Sequence, residues 1–101
     1  MAELDLSPAA RADLLEIRVY SVDRFGGEVA DSYFLGFDAA FALLREHPMA
    51  GASRTDLGNS MRCLLHQRHR IFYHIDGDTV VIVRVVHHAM DAKRALKGTA
   101  R

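Results

Sequence analysis

The sequence has few of the features that stabilise or anchor a protein by means other than packing of its own core. It contains a single cysteine, Cys63, so no disulfide can form within the chain. No apolar run, Val80 to Val83 included, approaches the roughly 20 residues that cross a bilayer. The opening Met-Ala-Glu-Leu-Asp lacks the basic and apolar regions of a secretory signal. We therefore predict a cytoplasmic protein without a membrane-spanning segment.

Proline and net charge are also scarce. Two prolines, 50% apolar residues and 26% charged residues are typical of a chain that buries a core and not of a disordered one. Thirteen basic residues balance thirteen acidic ones, which excludes a protein drawn onto nucleic acid by its overall charge. With 101 residues, the chain fits one compact domain, which we expect to span residues 1–101.

The charges are nevertheless unevenly distributed. Residues 1–60 carry ten acids and five arginines, whereas residues 61–101 carry eight bases and three acids. The formal charges are therefore −5 and +5. The basic half is where we expect an anionic partner.

The first half of the chain predicts a strand followed by two helices. Polar and apolar residues alternate over Glu3–Leu6, as in a half-buried strand. Ser7 is a favourable N-cap, and Pro8 suits the first helical position. This helix ends at Phe25-Gly26-Gly27, and apolar residues at helical spacing then continue to His47-Pro48. The two helices form an antiparallel hairpin whose aromatic-rich seam should cover a sheet.

The second half predicts an antiparallel meander and a short helix. Residues 48–60 lack periodicity and indicate a loop, and the three strand segments that follow are Met61–His66, Arg70–Ile75 and Thr79–His87. In the third strand, strict alternation would place Val81, Val83 and Val85 on one face and Val80, Ile82, Arg84 and Val86 on the other. Met90–Lys97 indicates a helix closed by Gly98. The prediction is an α+β fold of order β-α-α-β-β-β-α, with the helix hairpin packed on a small antiparallel sheet.

The histidines and Cys63 do not predict a metal site. Cys63, His66 and His69 have a ligand-like spacing, but odd separations along a strand send side chains to opposite faces. We therefore predict no metal or cofactor, and surface or edge positions for His47, His66 and His69. Phosphate-binding glycine motifs and nucleophile elbows are absent from the sequence.

One group of residues has the side-chain types that a ribonuclease uses. A base, an acid and cations on the phosphate are needed for cleavage through the 2′-hydroxyl. The group consists of Arg62, Arg70, Tyr73, Arg84, His88, Asp91 and Arg94. The structural alternative buries Tyr73 with its hydroxyl satisfied, pairs Arg84 with Asp91 or with a helix end, and leaves Arg62 and Arg70 to solvate the sheet.

Motifs along nearly the whole chain resemble a known family. They are Leu6-Ser7-Pro8-Ala9-Ala10-x2-Asp13-Leu14-x2-Ile17-x2-Tyr20, Pro48-x2-Gly51-x2-Arg54-x-Asp56-Leu57, His69-Arg70-Ile71-Phe72-Tyr73 and Ile82-Val83-Arg84-Val85-Val86-His87-x2-Met90-Asp91. In this order and spacing they are similar to the ParE-type toxins of the RelE/ParE superfamily, over roughly residues 4–96.

The resemblance implies a function and a pair of partners. It implies the toxin of a type II toxin–antitoxin system, which inhibits DNA gyrase by protein–protein contact, without catalysis or a cofactor. A ParD-type antitoxin would neutralise it through a tail that folds on binding, and DNA would be reached only indirectly, through the antitoxin or gyrase. For the surface that contacts target or antitoxin we select Arg62, Arg70, Arg84, His88, Asp91 and Arg94.

Two alternatives remain open at the level of sequence. The RelE branch of the same fold cuts messenger RNA on the ribosome, but Ala89 and Ala95 occupy the approximate places of its catalytic Arg and Tyr. The chain has only two lysines, Lys93 and Lys97, which differs from the basic, lysine-rich composition of that branch. The other alternative is a non-toxic partner that binds the antitoxin and takes part in autoregulation.

Overall fold

A computed structural model describes residues 1–58 and 60–97 of the chain. It consists of three helices, five strands and one short 3₁₀ turn, Thr55–Leu57. In chain order the elements are β1 (Glu3–Leu6), α1 (Pro8–Phe25), α2 (Gly27–Glu46), β2 (Ala52–Ser53), β3 (Arg62–His66), β4 (His69–Asp76), β5 (Thr79–His87) and α3 (Ala92–Leu96). The predicted α+β class is confirmed. The predicted loop was wrong in one respect, because it contains β2 and the 3₁₀ turn, and the predicted closure of α3 by Gly98 lies outside the described residues.

The strands form one sheet of order β1-β5-β4-β3-β2. The pairs β2–β3, β3–β4 and β4–β5 are antiparallel, as the meander predicts, whereas β1 joins the edge of β5 in parallel. β1 pairs only with Thr79 to Ile82, so the rest of that edge of β5 has no strand partner among residues 1–58 and 60–97. This short pairing leaves backbone groups of β5 for other elements to satisfy.

A β-bulge changes which side chains of β5 share a face. Tyr73 pairs with Ile82 and Phe72 with Arg84, which leaves Val83 as the extra residue. Val80, Ile82 and Val85 accordingly belong to the core beneath the helix hairpin, while Val83 and Val86 belong to the core beneath α3. The strict alternation predicted from the sequence was wrong, because an extra residue reverses the order of the faces.

The sheet is therefore covered on both sides. On one side, α1 and α2 pack Ala10, Phe37 and Leu44 against the strands. On the other side, Ala92 and Ala95 of α3 pack against a second cluster, whose buried strand residues are Phe72, Val83 and Val86. The predicted N-cap, Ser7, connects α1 to β5. Its Oγ accepts a hydrogen bond from the Ala10 amide (3.0 Å) and donates one to the Val83 carbonyl (2.7 Å).

The loop after α2 is held by two side chains of the meander. The buried Tyr73 hydroxyl donates to the Pro48 carbonyl at 2.6 Å and accepts from the Gly51 amide at 2.9 Å. Arg62 donates to the carbonyl oxygens of Gly51 and Met49. A Cβ at Gly51 would lie 2.7 Å from the Tyr73 hydroxyl, so glycine is required for this close approach. The structural alternative for Tyr73, a buried ring with a satisfied hydroxyl, is confirmed.

Candidate partner-binding groove

A groove of about 740 Å³ lies between the helix hairpin and the distal end of β5. Its apolar wall is formed by large side chains of α1, α2 and the segment after β5, namely Ile17, Tyr20, Phe25, Val29 and Met90. Four of these, Tyr20 (56%), Phe25 (58%), Val29 (53%) and Met90 (52%), are more than half exposed. Clustered apolar side chains left in solvent at a concave site mark a surface that a partner covers.

The groove exists because α1 extends further along β5 than β1 does. The Asp13 carboxylate of α1 accepts the Val85 amide at 2.9 Å, beyond the point where β1 has ended. α1 continues past this contact to Phe25 and carries Tyr20 with it. The end of the hairpin therefore extends past β1, and its apolar residues line the groove instead of a core.

Arg84 lies at one side of the groove and joins three elements. Its Nε and Nη2 donate to the Asp13 carboxylate at 2.7 and 2.8 Å, and its Nη1 donates to the Ala95 carbonyl of α3. The hydrogen bond from Arg84 to Asp13 is the main reason that the pKa of Arg84 is raised. The prediction that Arg84 pairs with Asp91 was wrong, because the Asp91 carboxylate caps α3 and accepts the Lys93 amide at 3.1 Å. The alternative, that Arg84 binds a helix end, is confirmed by its bond to the Ala95 carbonyl in the last turn of α3.

Histidines line the polar end of the groove. The Tyr33 hydroxyl and His69 Nδ1 share a hydrogen bond of 2.6 Å, and the His69 ring lies 5.7 Å from that of His87. Burial, reinforced by the neighbouring histidines, lowers the pKa of His69 to about 4, so His69 is neutral at pH 7. Burial likewise raises the pKa of Tyr33.

The prediction that His66 and His69 occupy ordinary surface or edge positions was wrong. The His66 ring packs 4.6 Å from that of Phe37 in the space that Gly36 leaves open, since a Cβ there would overlap the imidazole. Both histidines are partly buried between α2 and the sheet. The bulky aromatic rings of α2 need planar side chains to pack against. The alternation of side chains along the strands did not by itself predict that histidines would provide them at this end of the sheet.

The six residues selected from the sequence do not form one site. Two of them have internal roles, Arg62 in the loop and Arg84 at the Asp13 carboxylate. The structural alternative in which Arg62 solvates the sheet was therefore wrong, because its guanidinium binds carbonyl oxygens of the loop. His88 is exposed and stacks on His87 at 4.5 Å, and its amide donates to the Arg68 carbonyl. Asp91 is the helix cap, while Arg94 is exposed on α3.

The last of the six, Arg70, lies on the α3 side of the sheet, because it is two residues from Phe72 and pairs with Val86. Sequence reasoning missed the groove residues Tyr20, Phe25 and Val29. The one available signal was that the apolar face of α1 is broader than a single seam requires.

Across residues 1–58 and 60–97, no group of three or more His, Cys, Asp or Glu side chains is placed to hold a metal ion. None of the described helices is long and apolar enough to cross a membrane.

Known proteins resemble this chain along most of its length. Residues 4–92 match the family profile of the "ParE toxin of type II toxin-antitoxin system, parDE". Toxin ParE1 of Caulobacter vibrioides is 36% identical over 91 residues, which cover 90% of this chain and 94% of that protein. Toxin ParE1 of Mycobacterium tuberculosis is 35% identical over 92 residues, with the same coverage. In a solved structure of the chromosomal ParDE TA system from P. aeruginosa, one chain superimposes with a TM-score of 0.74 at 22% identity, covering 86% of this chain and 96% of that one, which shows a shared fold.

Proposed function

The chain belongs to the ParE toxin family of type II toxin–antitoxin systems, and from this premise we propose that it inhibits DNA gyrase by protein–protein contact and is neutralised by a ParD-type antitoxin that occupies the groove. The observation that carries the antitoxin part is the groove itself, with four half-exposed apolar side chains along one wall. An amphipathic segment that folds on binding would bury them.

The polar end of the groove supports an acidic occupant. Arg68 and Gln67 lie there beside His69 and His87. An acidic side chain near the end of the antitoxin segment would approach the Arg68 guanidinium and fix the direction of binding, since charges at a rim contribute mainly orientation and association rate.

The site favours contact over catalysis. The Tyr73 hydroxyl, the phenol of the ribonuclease alternative, is buried and makes two hydrogen bonds to the loop. Arg84, a candidate phosphate cation, has its guanidinium occupied by Asp13 and Ala95. His69 has a pKa of about 4, far from the near-neutral value that suits a general acid or base at pH 7. We therefore propose that the toxin has no chemistry of its own.

A gyrase cleavage assay tests the target. Purified toxin freed of antitoxin is incubated with gyrase, ATP and supercoiled plasmid, and protein-linked linear DNA is measured. Linear DNA that accumulates with toxin and disappears when antitoxin is added is the expected result. If a folded, antitoxin-binding sample produces none, the gyrase proposal is wrong, and ribosome-dependent RNA cleavage or a non-toxic role in autoregulation would be tested next.

A matched pair of variants tests the groove separately. Tyr20→Ala removes an aromatic side chain from the groove wall, and Leu15→Ala removes a somewhat more exposed side chain that does not line the groove. Binding of the antitoxin encoded beside the toxin should weaken roughly 30-fold for Tyr20→Ala, the loss typical of an aromatic anchor, and stay within about threefold of wild type for Leu15→Ala. Equal affinity for the two variants would refute the placement of the antitoxin.

A further inference from the structure

The bases of the second half of the chain fall into separate places in the fold. Arg62 and Arg84 are engaged internally, and Arg68 lies at the end of the groove. Arg101 lies outside the described residues. The other bases lie on the α3 side of the sheet and do not line the groove: Arg70, Lys93, Arg94 and Lys97. An acidic antitoxin segment seated in the groove therefore leaves these four cations without an assigned partner.

The packing of α3 places its bases on the solvent side. Ala92, Ala95 and Leu96 face the sheet and contribute to the core there. Lys93 and Arg94, which lie between Ala92 and Ala95, and Lys97, which directly follows α3, are exposed. A helix whose one face is buried presents its remaining positions to water, so these three cations share one surface.

Arg54 and Arg70 extend this surface across the sheet. Arg70 lies on the side of the sheet where Phe72 and Val86 pack against α3. Arg54 directly precedes the 3₁₀ turn Thr55–Leu57, whose Leu57 packs against the same cluster as Ala92 and Ala95 of α3. We name the set Arg54, Arg70, Lys93, Arg94 and Lys97 the α3 surface.

The acids that face the α3 surface are already engaged. Asp56 is paired with Arg54 through two contacts of 3.0 Å. Asp91 accepts amides at the first turn of α3. On the α1 side, Asp13 is bound to Arg84, and Glu16 acts on the same guanidinium. The four bases other than Arg54 form no ion pair among the described residues, so the α3 surface carries an excess of positive charge on a protein of zero net charge.

We propose that the α3 surface binds the phosphate backbone of duplex DNA without reading its sequence. Arginine and lysine on an exposed helix neutralise phosphates and release counterions, which accounts for most non-specific DNA binding. Single-stranded nucleic acid would need aromatic stacking platforms. The exposed Tyr and Phe side chains of the described residues, Tyr20 and Phe25, are both in the groove. This contact is direct, in contrast to the indirect route that the sequence suggested, and it does not depend on gyrase being the target.

Fluorescence anisotropy of a labelled 20-base-pair duplex, titrated with the free toxin from 50 to 200 mM NaCl, tests the proposal. If four cations each neutralise one phosphate, log K against log salt should have a slope of about −3.6, so that affinity falls about 150-fold over this range. A wild-type protein that does not bind the duplex at 50 mM NaCl would overturn the proposal.

Charge-neutralising variants locate the contact. Lys93→Gln/Arg94→Gln should reduce the magnitude of the slope by about 2 and the affinity at 50 mM NaCl by at least about tenfold. Arg11→Gln/Arg24→Gln removes the same charge from α1, away from the α3 surface, and should leave both values near wild type. Equal losses in the two pairs would show that overall charge and not this surface is responsible. Thermal melts confirm that both variants are folded, and Lys97→Gln is a third variant should the first pair unfold.

One further comparison separates the duplex from other polyanions. A single-stranded RNA of 20 nucleotides is titrated under the same conditions. The proposal expects the duplex to bind more tightly, because its two strands present a higher density of phosphates to a helix that lacks stacking side chains. Tighter binding of the RNA would overturn the assignment to DNA.

Discussion

Removing the Asp13 carboxylate should destabilise the protein strongly, because three hydrogen-bond donors depend on it. Asp13→Ala leaves Arg84 Nε, Arg84 Nη2 and the Val85 amide without their acceptor. The side chains of Arg84 and Asp13 are only 21% and 13% exposed, so water replaces the lost bonds poorly. The stability of the α1–β5 junction therefore rests on one carboxylate.

The expected loss follows from the number and kind of these bonds. Each charge-assisted hydrogen bond contributes about 1.5–3 kcal/mol, and breaking a fully buried ion pair costs about 3–5 kcal/mol. Because Arg84 keeps its bond to the Ala95 carbonyl and some contact with water, we expect a loss of about 3 kcal/mol in the free energy of unfolding. For a domain of this size, that lowers Tm by roughly 15 °C.

A double-mutant cycle measured by urea denaturation checks this reasoning. Asp13→Ala, Arg84→Ala and the double variant should give a coupling energy of about 1.5–2 kcal/mol, since either single change removes the same pair. The matched cycle of Asp91→Ala with Arg84→Ala should give less than about 0.5 kcal/mol, because Asp91 caps α3 and does not contact Arg84. Additive effects of Asp13 and Arg84 would refute the assigned pairing.

Three further predictions concern the core and the groove. Gly36→Ala should cost about 1–3 kcal/mol, because its Cβ would overlap the His66 ring, and His66→Ala should remove most of that cost in the double variant. Tyr73→Phe should cost about 2 kcal/mol, since two backbone groups of the loop lose their partner. The pKa of His69 in the folded chain is about 4, below the 6.5 of an unperturbed histidine. The contribution of neutral His69 to the free energy of unfolding is therefore complete above pH 6.5 and is lost as pH falls toward 4. Over this pH range, the shift corresponds to a loss of roughly 3 kcal/mol in the free energy of unfolding, which partial exposure of the ring reduces to about 1–2 kcal/mol.

Each of these has a control measured by the same urea titrations. Gly27→Ala, where nothing lies within 4 Å of the new Cβ, should leave stability unchanged or slightly higher. Tyr20→Phe, at an exposed ring, should change it by less than about 0.5 kcal/mol. His69→Gln should flatten the loss of stability between pH 6.5 and 4, and an unchanged pH profile in that variant would show that another group titrates.

Local patterns determined most of the secondary structure. Ser7 and Pro8 start α1, the glycines after Phe25 end it, and Asp76-Gly77-Asp78 leads from β4 into β5, because capping and turn preferences act over a few residues. The resemblance of the ordered motifs identified the family, which the comparisons confirm. The uneven charge was visible as well, although its division between the groove and the α3 surface was not.

Contacts between distant residues were decided only by the tertiary structure. Alternation along β5 predicted the wrong faces, because a bulge depends on the register with β4 and not on the residues of β5 alone. Asp13 meets Arg84 across 71 residues, and no local spacing distinguishes that partner from Asp91. The tertiary structure likewise decides which apolar residues of the hairpin enter the core and which line the groove. The division falls at the point where β1 ends and the hairpin extends past it. The local sequence pattern determines short-range hydrogen bonds such as caps and turns. Burial and the pairing of side chains depend instead on which distant segments the fold places next to a residue.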